Sequence, residues 1–152
     1  MKITKFLHLA QINVDFRAKD KKEAIESLVK ILVEQRHIPK QKAKEVTAAL
    51  LERETLTSTG LGHGVALPHV KTDVINEICI AFGRSAEGID FNALDGNPVH
   101  FFFLIIAPTN KAEEYLKTLS SISALVKNDK IRSKLHAAKS ADELYKIFDQ
   151  TE

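Results

Sequence analysis

Cysteine is almost absent. Cys79 is the one such residue in 152, which excludes an intramolecular disulfide framework. Excess charge of either sign is also scarce: 22 Lys and Arg stand against 20 Asp and Glu, too even a balance to argue for nucleic acid or a charged membrane surface as a partner. Long hydrophobic runs are missing. The longest, Phe101 to Ala107, has the length of a buried strand, far short of the roughly 20 residues that span a bilayer, so direct membrane insertion is not expected. The opening Met1-Lys2-Ile3-Thr4-Lys5-Phe6 has neither a signal-peptide apolar core of adequate length nor a small-residue cleavage site. A cytoplasmic protein is the economical reading. No linker, repeat or low-complexity stretch interrupts the chain, so residues 1–152 read as a single domain with one sizeable core. Catalytic signatures are equally thin. No GxSxG nucleophile elbow occurs. His63 and His69 lack a third ligand at a recognisable metal-site spacing. Cys79 sits inside an apolar strand, where a thiol packs as a small core residue. Neither a metal nor a cofactor is expected.

What the chain does have is periodicity. Residues 11–17 alternate polar and apolar, the pattern of a half-buried strand. Asp20 with Glu23 forms a capping-box signal, and Ala24, Ile25, Leu28, Ile31 and Leu32 follow at helical spacing. That helix is predicted to end near Arg36, because Pro39 disfavours a helical Ile38. A second helix is predicted over Lys40 to Glu54, with Ala43, Val46, Ala49 and Leu50 on one face. Ile78 to Phe82 and Val99 to Ile106 are continuous apolar runs, as expected of strands covered on both faces. Gly88 and Asp95-Gly96 mark turns between them. Ala112, Leu116, Leu119, Ile122 and Leu125 predict a helix over 111–127. Asn128 and Asp129 cap another reaching about Ala138, and Ser140 with Glu143 opens a last one ending near Asp149. The order predicts an α/β, single-domain sandwich, with a central mixed β-sheet flanked by helices on both faces.

One segment fits none of these patterns: Ser58-Thr59-Gly60-Leu61-Gly62-His63-Gly64-Val65-Ala66-Leu67-Pro68-His69. Each glycine costs about 1 kcal/mol in a helix, so Gly60, Gly62 and Gly64 belong to a loop that needs close backbone approach or φ > 0. Val65-Ala66-Leu67 reads as a strand stub, and Pro68 removes a donor just before His69. These glycines do not form a GxGxxG nucleotide fingerprint, because they precede a strand stub and a proline instead of opening a helix. Two readings of His69 stand. One is an inert, hydrogen-bonded histidine at a strand end. The other is a phosphoryl acceptor, since neutral imidazole is a competent nucleophile near pH 7. An acceptor needs one ring nitrogen free and the other pinned. The Ser58 to Gly64 loop is expected to supply the pinning group, and its amides an anion nest for phosphoryl oxygens.

Glu52-Arg53-Glu54 together with Ser58 to His69 resembles the phosphorylation-site signature of the mannitol/fructose class of enzyme IIA domains. These belong to the bacterial phosphoenolpyruvate-dependent sugar phosphotransferase system. Lys71-Thr72-Asp73, Gly83-Arg84-Ser85, Glu87 to Phe91, Leu94-Asp95-Gly96 and Ala138 to Leu144 extend the resemblance over nearly the whole chain. It implies that His69 accepts a phosphoryl group through Nε2 from phosphorylated HPr, a small carrier protein, and passes it to an enzyme IIB domain. Arg53 matches a family arginine near the phosphohistidine; the plainer reading is a solvated charge in a helix's last turn. Ser58, Thr59, Gly60, Gly62 and Gly64 fall in the phosphate loop. One position departs. Within Glu113-Glu114-Tyr115-Leu116-Lys117, Tyr115 stands where many members carry a second histidine. A tyrosine can donate a hydrogen bond but cannot be cationic; it is equally readable as a half-buried aromatic of an amphipathic helix. The resemblance extends to free-standing enzyme IIA proteins of the nitrogen-regulatory type, which implies a second function: a binding module switched by phosphorylation.

Overall fold

The computed structural model describes residues 2–151. Along the chain the strands are β1 (Ile12–Asn13), β2 (Gly60–Gly62), β3 (Val65–Ala66), β4 (His69–Thr72), β5 (Cys79–Ile89) and β6 (Val99–Pro108). The helices are α1 (Lys21–Glu34), α2 (Ala43–Leu56), α3 (Ala112–Val126), α4 (Asp129–Ala137) and α5 (Ala141–Gln150). The strands form one mixed sheet. β5 and β6 pair antiparallel at its centre, and β1 flanks β5 in parallel. On the other side β3 and then β4 run parallel to β6, and β2 closes that edge antiparallel to β3.

β6 explains the layering. Phe101, Phe103, Ile105 and Ala107 enter a core with Tyr115, Ile122, Leu135, Leu144 and Phe148 from α3, α4 and α5. Phe102, Leu104 and Ile106 point the other way, into a core with Ile25, Leu28, Leu32, Val46 and Leu50 from α1 and α2. A strand alternates its side chains between faces, so an unbroken apolar run requires a helical layer on each side, as the sequence pattern predicts.

Three helix starts follow side-chain caps. Asp20 accepts from Glu23 N, Asn128 from Lys130 N and Ile131 N, and Ser140 from Glu143 N. Elsewhere the elements differ from the sequence reading for identifiable reasons. The strand expected over 11–17 shrinks to two residues, because the Asn13 side chain accepts from Asp15 N and turns the chain. Gln11 is buried, donating through Nε2 to the carbonyls of Phe6 and Ile80. The helix expected from Lys40 begins at Ala43 after a 3-10 turn and runs on to Leu56. Gly88 lies inside β5, within a register shift between Arg84 and Ile89, and not at a turn. The buried stripe of α3 is Tyr115, Thr118, Ile122, Leu125 and Val126, while Leu116 is 62% exposed. Thr118 is tolerated there because its hydroxyl donates to the Glu114 carbonyl.

Candidate functional site

β3 and β4 are one line of strand interrupted at Leu67-Pro68. Val65 and Ala66 pair with Phe101 and Phe102, and after the interruption His69 and Val70 pair with Ile105 and Ile106 in the same register. Pro68 has no N–H to give the ladder, but its carbonyl still accepts from Ile105 N at 3.0 Å. His69 therefore opens β4, on the face of the sheet that Ile105 shares with α3.

The imidazole is half-buried, with Nδ1 2.5 Å from the Leu67 carbonyl oxygen. A carbonyl only accepts, so Nδ1 carries the hydrogen, and in the neutral ring Nε2 keeps its lone pair. Burial lowers the His69 pKa below 6.5, and the Arg53 guanidinium adds to this; the Leu67 hydrogen bond and the Glu54 carboxylate act in the opposite direction. The ring is accordingly mostly neutral at pH 7. Tyr115 packs beside it with ring centroids 6.0 Å apart and planes inclined by 55°. Its phenol is buried and pushed up to about 12, chiefly by desolvation and against a lowering influence of Arg53, so it remains a neutral donor. Arg53 reaches from the last turn of α2, where Nη1 donates to Thr57 O at 3.1 Å.

The structure thus brings His69, Arg53 and Tyr115 together from β4, α2 and α3. It divides the predicted phosphate loop. Ser58 and Thr59 lie at the His69 end of the β2–β3 hairpin, where Thr59 O accepts from Leu67 N and Ser58 Oγ bridges Gly60 N and Phe91 O. Gly60 sits where an added Cβ would come within 2.8 Å of Ala93, so its role is close packing. Gly62 and Gly64 fall at the far end, beside Asp95 and His100. Gly64 O accepts from Phe101 N, four residues along β6 from the His69 partner Ile105, a separation of about 13 Å. Gly62, His63 and Gly64 do take consecutive positive φ values of 92°, 57° and 77°. The turn already has an anion: Asp95, whose carboxyl is held below its ordinary range by the Asn97 backbone N–H and, further, by that of His63. The expected nest at Gly62 and Gly64 is therefore not at His69. The pinning acceptor also comes from outside the predicted loop, from the Leu67 carbonyl of the strand stub. His63 is exposed at the distant tip, so the two histidines do not meet as a metal pair.

The sequence places Glu54 in the signature but gives it no role of its own. The residue is buried beneath the site and takes hydrogen bonds from Lys21 Nζ at 2.9 Å, from Thr59 N at 3.2 Å and from the Thr59 hydroxyl. The signal was its spacing: Val46, Leu50 and Glu54 recur at helical intervals on the buried face of α2. Cys79 is buried in β5, and desolvation pushes its thiol up to about 12, far from a reactive thiolate.

An open mixed sheet between two helical layers, with this imidazole opening an outer strand, defines an α/β protein with the fold of the enzyme IIA proteins. The family model for the phosphoenolpyruvate-dependent sugar phosphotransferase system, EIIA 2, matches residues 5–151, and the chain belongs to that family. It is 40% identical to the fructose-specific EIIA component of Haloferax volcanii, over 79% of this chain and 77% of that one. It is 37% identical to the fructose-specific EIIABC component of Bacillus subtilis, over 99% of this chain but 23% of that protein's length. The solved structure of nitrogen regulatory protein IIA-Ntr from Neisseria meningitidis superposes with a TM-score of 0.87 at 32% identity, covering 96% of this chain and 98% of that one. No helix among the described residues is long and apolar enough to cross a membrane.

Proposed function

We propose that residues 1–152 act as one EIIA 2 domain, a phosphocarrier that takes a phosphoryl group from phosphorylated HPr onto His69 and passes it to an enzyme IIB partner, working in the cytoplasm for fructose- or mannitol-type sugar uptake. One observation carries this reading: the Leu67 carbonyl holds the Nδ1 hydrogen of His69, leaving Nε2 as the nucleophile. In each step a bond to phosphorus forms at the incoming nucleophile as the donor's bond to phosphorus breaks. Little other covalent chemistry is needed, so positioning and charge carry most of the catalysis. Arg53 supplies a fork of donors suited to phosphoryl oxygens, and Tyr115 adds a neutral hydroxyl. Acting as an enzyme here means being a covalent intermediate in transfer. The fructose-specific names among the relatives support the sugar class, and the joined A, B and C parts in the name of the Bacillus relative support a IIB acceptor.

Incubation with phosphoenolpyruvate, enzyme I and HPr tests the proposal. One phosphate is expected on His69, acid-labile and alkali-stable as a phosphoramidate, and absent from His69→Ala. An unmodified His69 in the wild-type protein overturns it. A second reading, a regulatory module that binds partners according to phosphorylation state, is favoured by the near-complete mutual coverage with IIA-Ntr. Transfer of the phosphoryl group onward to a fructose-type IIB domain separates the two.

A further inference from the structure

Glu54 is a costly residue to bury. Its side chain is 3% exposed, and an ionised carboxylate is tolerated in such a place only when paired and hydrogen-bonded. Here both conditions are met. Lys21, from the first turn of α1, lies 2.9 Å away with its own side chain 19% exposed and its ammonium 4.7 Å from the centroid of the Phe91 ring. Thr59 donates both its backbone N–H and its hydroxyl to the two carboxylate oxygens. As a device for stability alone this is a poor choice, since a buried ion pair replaced by apolar groups is often neutral or stabilising. Where the network leads is more informative. Thr59 O accepts from Leu67 N at 3.0 Å, and the carbonyl of the same Leu67 holds His69 Nδ1 at 2.5 Å. A continuous set of hydrogen bonds runs from Lys21 through Glu54, Thr59 and Leu67 to the imidazole. Glu54 also stands close enough to act electrostatically on that ring, opposing Arg53.

We propose that Glu54 is a positioning residue for His69: by holding Thr59 it fixes the Leu67 residue whose carbonyl keeps the imidazole in its Nδ1–H form. This rests on the reading of His69 as phosphoryl acceptor. Which nitrogen of a histidine carries the proton is set by the partner of the other one. A Leu67 carbonyl free to rotate away would let the ring populate the Nε2–H form, whose Nε2 cannot attack phosphorus. The carboxylate has a second effect, because its charge offsets that of Arg53 at the ring and limits how far Arg53 disfavours the positive charge that develops on the attacking imidazole.

The test uses the full chain, labelled with nitrogen-15, in two measurements. The first is the His69 tautomer and titration by NMR without any phosphoryl donor. The second is the rate of phosphorylation by phosphorylated HPr. In Glu54→Gln and Thr59→Val the Nε2–H form is expected to become populated, with transfer slowed about tenfold or more. Thr59→Ser, which keeps the hydroxyl, is expected to restore both wild-type values. Glu54→Gln should in addition lower the His69 pKa further, because a negative charge is removed. Should Glu54→Gln unfold, the Thr59 pair still decides, since serine keeps and valine lacks the hydroxyl that donates to Glu54. A His69 ring that stays in the Nδ1–H form and is phosphorylated at the wild-type rate in Thr59→Val overturns the inference. If the wild-type protein takes no phosphoryl group, the transfer reading fails instead, and the tautomer measurement still decides what Glu54 does to the ring.

Discussion

At the scale of single residues, the site depends on a contrast between two groups that touch. His69 has its free ring nitrogen defined by one backbone carbonyl, and Tyr115 packs 6.0 Å away as a buried, un-ionised phenol. A developing dianion beside a neutral hydroxyl gains a hydrogen bond but no charge, and hydrogen bonds to charged groups strengthen when both partners are ionised. With tyrosine at this position, Arg53 is the cation that acts on both rings. Tyr115→His adds an imidazole able to carry a proton toward the phosphoryl oxygens, so faster acceptance from phosphorylated HPr is expected, measured as a single-turnover rate. An unchanged or slower rate would overturn this expectation and mean that the phenol serves at least as well, through its packing or its hydroxyl.

At the scale of elements, capping chemistry reports helix starts closely and packing decides the rest. Asn128 illustrates the first point: its side chain accepts from Lys130 N at 2.9 Å and Ile131 N at 3.2 Å, occupying two of the donors that α4 leaves unpaired. Asn128→Ala should cost about 1 kcal/mol in a urea or thermal melt. A negligible loss would show that α4 is held by the burial of Leu135 in the core and not by its cap. The α3 stripe illustrates the second point. Hydropathy places Leu116 inward, yet Tyr115 and Thr118 are the buried pair, because a threonine that bonds its own helix backbone can be buried at little cost. Sequence pattern revealed the two-sided sheet because the apolar run in β6 has no solvent-facing alternative. It singled out His69 as a candidate from its place at a strand end after the glycine-rich loop, and Arg53 and Tyr115 by resemblance. It could not show that Gly62 and Gly64 end up at the far end of the hairpin, since the strand register that puts them there is a pairing with residues far along the chain. The spacing of Glu54 from Val46 and Leu50 points inward, but it is outweighed in a sequence reading because a charged residue in a helix's last turn is ordinarily solvated.

At the scale of the whole molecule, three histidines couple the fold to acidity. His37, His69 and His136 all have pKa values below 6.5, each first through burial; His8 adds to the effect at His37, and His100, Arg84 and Arg132 add to it at His136. A group whose pKa is lowered by folding binds a proton more readily in the unfolded chain. Between the folded and unfolded values the unfolded state therefore holds more protons, and stability rises with pH. The contribution is complete above about pH 6.5 and is lost as pH falls through the lower folded values. A melting series from about pH 7.5 down to about pH 5 should show Tm falling through the acid half of that range. Parallel NMR titrations should find all three rings titrating below the free histidine value. A Tm that stays flat across the series would sink the expectation. Acceptance of phosphoryl groups should fade over the range set by His69 itself, because a proton on Nε2 occupies the lone pair that attacks phosphorus. Below the His69 pKa the rate should drop in proportion to the neutral fraction, while above about pH 6.5 it should be level. The two profiles need not coincide: transfer follows one ring, whereas stability sums over three, so a mutation that removes the His136 titration should shift the melting curve and leave the transfer profile in place.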